Sequence, residues 1–499
     1  MVTLAKLDKK DKDIISEELR DAVGANKVKD DDVVLVAYAS DSSFVPFRKP
    51  NWVVLPETRE DVAAILKLAN KHKIPVAAFG RGVNIAGYGV PSEGGIVMDL
   101  RRMDKIFEIN TDSGYAVIEP GVTFDQLAVA LAGKGYRCPM PTGPGGGSAI
   151  GTYLMRPSQS LVTKRLDPII DLEVVLADGT IFNTGSSHFP HGGSGLRYGP
   201  YPDLSGIFCY AYATMGIVTK ASVTIYPINE ANRVNVAAFD NFPAALDFVK
   251  DITNNNIPEH TIIWNYHMGG WTRGDPALAM ADPRKAPEGI PYSTVTTLLS
   301  GYEETMVAHE KVIEKVARKY GGRILPFKEY ENNPNTAGQW GQIFGEYHPN
   351  RRVRGIRPGA PGGGLTGVWM AMWVIMAEAE AVKNLEKWAV EKVWATTGRP
   401  LNYYVHPFDF GRSMMFRIVL MVPRKDQEAV QKVLNMFGEM TNVALERYGA
   451  IPLRHKAYLG NYLDLTGSYA DVLGRIKKAL DPNNILNRGI GIFQESEEL

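Results

Sequence analysis

The chain has 499 residues, enough for two domains of ordinary size, and its 45% hydrophobic and 22% charged residues are the balance of a soluble globular protein. Its 55 lysines and arginines equal its 55 aspartates and glutamates, so no basic excess exists to neutralise phosphates and nucleic acid is not expected as a partner. Cys138 and Cys209 are the only cysteines, which excludes a disulfide scaffold, a CxxC pair and an iron–sulfur cluster.

The first ten residues hold no apolar signal core. The richest apolar stretch, Val368 to Ala377, is about half of what a bilayer span needs. A cytoplasmic chain without a transmembrane segment is expected. With neither an HExxH motif nor a cysteine–histidine finger spacing, no protein-bound metal is expected either.

Residues 50 to 228 read as alternating strands and helices. Thr58-Arg-Glu-Asp61 has the form of a capping box, and Val62, Ile65, Leu66 and Ala69 follow at helical spacing. Ile74 to Phe79, Gly94 to Leu100 and Tyr115 to Glu119 read as strands. Thr123 and Gln126 form a second capping box, before a helix through Leu131. Leu172 to Leu176, the turn Asp178-Gly179 and Thr180 to Phe182 predict a hairpin. Ile217 to Tyr226 alternates as a strand.

From residue 229 the texture changes to α+β. Strand 234–239, helix 243–254 and strand 260–266 come first. Strand 292–300, helix 302–320 and strand 323–327 repeat that order. Strand 368–375, helix 376–396, strands 401–407 and 413–422 and helix 425–448 follow. An antiparallel sheet with helices on one side is expected. The Gly-, Pro- and Asn-rich stretch 328–365 reads as a long loop, and the end holds a helix from Tyr469 to Leu480 and the coil Asp481 to Gly489.

Two glycine runs carry the chemistry. Gly80-Arg-Gly-Val-Asn-Ile-Ala-Gly-Tyr-Gly89 follows a strand directly, and glycines let backbone amides approach a phosphate without a Cβ between. The spacing is neither GxGxxG nor a P-loop, and Pro91 with Gly94-Gly95 argues against a following helix. A second loop, Pro139 to Gly151, holds five glycines in thirteen residues. Two such loops in one α/β region suit a dinucleotide with a diphosphate tail. The plainer readings are a surface loop and a linker.

The order of the Gly80-Arg-Gly loop, Ile96-Val-Met-Asp-Leu100, Val117-Ile-Glu-Pro-Gly-Val-Thr123, the second loop, Leu172-Glu-Val-Val-Leu-Ala-Asp-Gly179 and Gly216-Ile-Val-Thr219 resembles the vanillyl-alcohol oxidase/4-cresol methylhydroxylase flavoproteins. Within that family, Gly87-Tyr88-Gly89, the run Tyr198-Gly-Pro-Tyr201 to Phe208, and Asp481-Pro-Asn-Asn-Ile-Leu486 are most similar to the 4-alkylphenol-oxidising branch. The likeness is strong over 45–228, moderate at the C-terminus, and one of layout alone in between.

The resemblance implies an α+β, two-domain PCMH-type FAD-binding fold with an antiparallel-sheet cap. It implies an FAD-binding domain over 1–228 (core about 45–228), a cap or substrate domain over 229–448, and a C-terminal segment, 449–499, returning to the FAD domain. The implied cofactor contacts are Gly80, Arg81, Gly82, Val83, Asn84 and Gly87 on the first loop. Thr142, Gly143, Gly146, Gly147, Ser148, Gly151 and Thr152 supply the second. Gly216, Ile217, Val218, Arg454 and Asn487 complete the set.

It further implies hydride transfer from a benzylic or alcohol carbon to flavin N5, the protein orienting the substrate. Tyr88 matches the first of two tyrosines that hold a phenolate, and Arg454 matches the arginine. Leu453 stands where the second tyrosine would be, and Met155 stands at the place of an aspartate near flavin N5. Both departures weaken the case for a 4-alkylphenol, because a desolvated phenolate needs donors and positive charge. Tyr88 has the alternative reading of a turn aromatic, and Arg454 that of a surface ion pair.

In the expected cap, Tyr404 and His406 share one face of a strand and Tyr403 takes the other. His406 is a candidate general base, with a packed core residue as the plainer reading. Trp369, Met370, Met372 and Trp373 are candidate pocket walls or core. No histidine lies in Gly80–Gly89, and no histidine or tyrosine in Thr366–Met372, so FAD is expected to bind without a covalent link. The alternatives are a D-2-hydroxy-acid (lactate- or glycolate-type) dehydrogenase, with Arg412, Arg417 or Arg454 as a carboxylate fork, and an electron-transfer subunit. The first lacks its usual His-Glu-His cluster here. A small aromatic substrate and a homo-oligomer formed through the cap are expected. Oxygen, a cytochrome, an electron-transfer flavoprotein and a quinone all remain open as electron acceptor.

Overall fold

A computed structural model describes residues 9–41, 43, 45–83, 86–139, 145–155, 167–268, 276–326, 367–376, 378–423, 425–453 and 466–490. The fold is α+β, with its sheets in separate parts of the chain. It starts with a helix absent from the sequence reading. Lys9–Val23 turns Ile15, Leu19 and Val23 inward at i, i+4 and i+8, and Ser16 receives the Trp52 indole N–H at 2.8 Å.

Among the described residues, a four-stranded and a five-stranded sheet form most of the first half, beside a two-stranded pair of Tyr136–Arg137 with Tyr226–Pro227. In the first, Trp52–Val54 and Val76–Phe79 both run parallel to Ile96–Asp99, and Val28–Lys29 adds an antiparallel edge. The second is antiparallel, in the order Ile106–Asn110, Tyr115–Ile118, Ile217–Thr224, Ile169–Val175, Ile181–Asn183. The expected hairpin joins the last two, with Gly179 at φ +83° in its turn.

Both capping boxes form as read. Thr58 accepts from Asp61 N and starts Arg59–His72, while Thr123 accepts from Gln126 N and starts Phe124–Ala132. The first helix buries Val62, Ile65, Leu66 and Ala69. Burial of each large aliphatic among them is worth about 1.5–3 kcal/mol.

The second half is one antiparallel sheet of eight strands. Its order is Arg323–Ile324, Ala231–Phe239, Ser293–Gly301, His260–Asn265, Asn402–Phe408, Ser413–Pro423, Gly367–Met376 and Ile451–Leu453. Helices Phe242–Asn254, Glu303–Lys319, Ala379–Thr397 and Gln427–Tyr448 share one core with alternate residues of these strands, such as Val295, Tyr403, Val405, Phe416 and Ile418. The other face carries Ile262, Trp264, Leu298, Tyr404 and Val419, which form a separate buried cluster. The one-sided helix layer read from the sequence is therefore present.

Two features tie the halves together. Arg137 donates to Glu259 at 2.8 Å, with both side chains about 5% exposed. The last described segment returns to the first sheet, where Leu486 bridges to Val76 and Asn487 N donates to Val76 O at 2.8 Å. No helix among the described residues is long and apolar enough to cross a membrane.

Candidate functional site

The two glycine loops lie against each other. A Cβ built on Gly80 would sit 3.4 Å from the Ser148 Cβ. The second loop is fastened to the capped helix, because Phe124 N donates to Gly147 O (3.2 Å) and Asp125 N to Gly145 O (3.0 Å). Ser148 Oγ donates to Pro120 O at 2.6 Å and accepts from Gly151 N at 3.0 Å, capping a short helix, Ala149–Tyr153, that sequence reasoning took for loop. Thr152 Oγ1 donates back to Ser148 O.

Glycine is required twice on the first loop. Gly82 has φ +70°, and its Cβ would stand 2.7 Å from the Phe79 ring. Gly87 has φ +85°, and its Cβ would stand 2.2 Å from Val45 Cγ2. Asp41 accepts from Gly87 N at 2.9 Å. Arg81 donates to Gln126 Oε1 on the capped helix at 3.1 Å, while its Nε is buried with no partner among the described residues. Gly146 is exposed, and a Cβ added there would meet nothing within 4 Å. An orphaned cationic donor beside an open glycine turn is what a diphosphate requires.

The remaining expected contacts divide. Gly216 is a packing glycine, since its Cβ would strike Val174 at 2.6 Å. Ile217 and Val218 turn their side chains into the two hydrophobic cores of the first half and pair in register with Val175 and Val174. Asn487 is buried, and its amide donates to Tyr212 O at 2.7 Å and Tyr88 O at 3.4 Å. Val83 is half-buried on the first loop. Asn84, Thr142, Gly143 and Arg454 lie outside the described residues, as do the side chains of Trp369, Met370, Met372, Trp373 and Leu453.

Tyr88 ends the first loop and is 6% exposed. Its ring stacks on Tyr212 with centroids 4.1 Å apart and planes 13° from parallel. Ala86 and Ile490 share its cluster, and Met155 packs against it. Sequence reasoning singled out Tyr88 and Met155 but missed Tyr212. The only signal was a tyrosine pair, Tyr210-Ala-Tyr212, shortly before the Gly216 strand.

The expected cap candidates gather elsewhere, on the sheet face opposite the four long helices. Tyr404 and His406 share that face, with rings 5.1 Å apart, and Tyr403 points into the helical core, as the alternation required. Arg417, directly opposite Tyr404 on the next strand, donates to its hydroxyl and lies 5.1 Å from its ring centroid. Trp264 stands 5.2 Å away. His406 is wholly buried, and burial first, then the neighbouring His260 and Arg417 charges, holds its pKa well below the ordinary histidine value. It is therefore neutral at physiological pH. Arg412, by contrast, is an exposed turn residue paired with Asp409.

A parallel sheet, two abutting glycine loops and a large antiparallel sheet with its long helices on one side together define the fold of a flavin-dependent oxidoreductase. The FAD binding domain family model matches residues 50–185, and the model for the C-terminal domain of FAD linked oxidases matches residues 412–490. The chain therefore has the PCMH-type FAD-binding fold and carries the FAD-binding and C-terminal domains of an FAD-linked oxidoreductase.

Relatives span nearly its whole length. The glycolate oxidase subunit GlcD of Bacillus subtilis is 26% identical over 492 residues, 95% of this chain and 96% of that one. The flavoprotein subunit of 4-cresol dehydrogenase (hydroxylating) from Pseudomonas putida is 25% identical over 508 residues, 92% of each. Among solved structures, p-cresol methylhydroxylase with substrate bound superposes with a TM-score of 0.84 at 22% identity, covering 98% of this chain and 99% of that one.

Proposed function

We propose that the protein oxidises a benzylic or alcohol carbon of a small aromatic substrate of the 4-alkylphenol or aromatic-alcohol kind. The observation that carries this reading is the aromatic end of the first glycine loop, where Tyr88 is buried and stacked on Tyr212 beside Met155 and Ile490. An apolar, aromatic-walled site with a phenolic donor suits a ring bearing one oxygen.

In this reading Gly80–Gly82, Arg81 and Gly145–Ser148 hold the diphosphate of FAD, and Asn487 keeps Tyr88 and Tyr212 in place. Bound FAD supplies the hydride acceptor. Tyr88 orients the substrate oxygen, and Arg454 is assigned the matching positive charge. The apolar side chains around Tyr88 exclude water, which strengthens each of these contacts. With Met155 at the expected aspartate position, the site offers no carboxylate base there, so the substrate's own ionisation carries more of the driving force. We also propose that the cap begins near residue 229, that FAD is held without a covalent link and that the protein forms a homo-oligomer.

The second reading is a D-2-hydroxy-acid dehydrogenase. It is favoured by the Arg417–Tyr404 pair on the sheet face opposite the long helices, a cationic fork with a hydroxyl beside it, suited to a carboxylate. Anaerobic mixing with 4-methylphenol, benzyl alcohol and D-lactate separates the readings through flavin absorbance. The first predicts bleaching by the phenol or the benzylic alcohol. Bleaching by D-lactate alone supports the second, and no bleaching by any leaves an electron-transfer subunit.

A further inference from the structure

Tyr212 sits in backbone that ordinary residues avoid. Tyr210, Tyr212 and Ala213 have φ of +58°, +50° and +61°, three left-handed residues within four positions and none of them glycine. Such a run persists only when its surroundings over-determine it. Here three contacts do so. Asn487 donates to Tyr212 O at 2.7 Å, the buried Lys477 ammonium donates to Thr214 O at 2.7 Å, and Tyr210 N donates to Leu154 O at 2.8 Å. The result is a ring laid flat on Tyr88, with Tyr210 edge-on at 6.3 Å.

We infer that Tyr212 is a positioning residue: its ring, through the stack, fixes Tyr88 in the orientation that receives the substrate. This deepens the proposed function and rests on its placing substrate at Tyr88. The stack opposes rotation of the Tyr88 ring about its χ1 and χ2 bonds. The action belongs to the ring and not to the hydroxyl, because nearly parallel planes 4.1 Å apart are a face contact.

The test compares Tyr212→Phe, Tyr212→Leu, Tyr88→Leu and the double leucine variant with the wild-type holoenzyme. Flavin content is measured by absorbance and folding by thermal midpoint. Anaerobic flavin reduction uses whichever of 4-methylphenol, benzyl alcohol or D-lactate bleaches the wild type. Tyr212→Phe is expected to match the wild type. Tyr212→Leu is expected to keep its flavin and raise the substrate concentration for half-maximal reduction about tenfold, with a smaller change in the limiting rate. The double variant is expected to be no worse than Tyr88→Leu alone.

A loss in Tyr212→Phe, an unchanged Tyr212→Leu, flavin loss from Tyr212→Leu, or additive single effects would each overturn the inference. Reduction by D-lactate alone sinks the aromatic-substrate reading, and the Tyr212 comparison is then read on D-lactate. No reduction by any of the three overturns both.

Discussion

The diphosphate seat is tested by a methyl group that the protein alone does not feel. Gly146 is exposed, its φ lies outside the left-handed region, and an added Cβ finds no atom within 4 Å. Gly146→Ala in the flavin-free protein should therefore be neutral or stabilising by about 0.4–1 kcal/mol, through the less flexible unfolded chain. If FAD phosphates rest on Gly145–Ser148, the same methyl pushes them off the backbone amides. Loss of one hydrogen bond to a charged group costs about 1.5–3 kcal/mol, or roughly 12- to 160-fold in affinity. The assay is FAD titration of the deflavinated protein, read by flavin fluorescence, beside thermal unfolding without FAD. The neighbouring Gly145→Ala serves as contrast. Its Cβ would lie 2.0 Å from Asp125 Oδ1, so it should destabilise the protein with or without FAD. An FAD affinity for Gly146→Ala within threefold of wild type would refute the placement.

Three further outcomes are expected. Gly438 lies inside helix Gln427–Tyr448 with open space at its Cβ position, so Gly438→Ala should stabilise by about 0.8–1 kcal/mol in urea denaturation; a destabilisation would contradict the helix. Breaking the buried Arg137–Glu259 pair by Arg137→Met or Glu259→Leu should cost about 3–5 kcal/mol, and the double variant should recover most of it; additive losses would show that the pair is not coupled. Burial pushes the Asp171 carboxyl up to about 7, so between pH of about 4 and 7 the folded chain keeps a proton that the unfolded chain has released. Its stabilisation is full below that window and lost as pH rises through it. Asp171→Asn should therefore gain on the wild type between pH 5 and pH 8 by urea midpoint, and a constant difference would overturn the assignment.

What the sequence showed was what short-range chemistry decides. Thr58 with Asp61, Thr123 with Gln126 and the Asp178-Gly179 turn act within four residues, and each appears where it was read. The face alternation that separates Tyr404 and His406 from Tyr403 is equally local. Helix Ala149–Tyr153 was hidden because its cap, Ser148, sits inside a glycine run that reads as loop. Ile15, Leu19 and Val23 have helical spacing, but they lie in a segment so rich in charge that it reads as a solvated terminus. Tyr212 was out of reach for a deeper reason. Its left-handed backbone runs against the preference of its residue type and is imposed by Asn487 and Lys477, which are more than 250 residues away along the chain.

The bridge from Leu486 to Val76, and the Asn487 contact that spans 399 residues to Tyr88, also set the order in which the protein can be made. At about 5–20 residues per second, a ribosome reaches Asn487 roughly 20–80 s after Tyr88. Throughout that interval the first glycine loop exists without the strand-edge partner and the amide clamp that complete it. A nascent chain stopped anywhere in the cap would carry both glycine loops and still lack the finished seat. With FAD seated as proposed, retention of the yellow cofactor becomes a report that synthesis has passed Asn487.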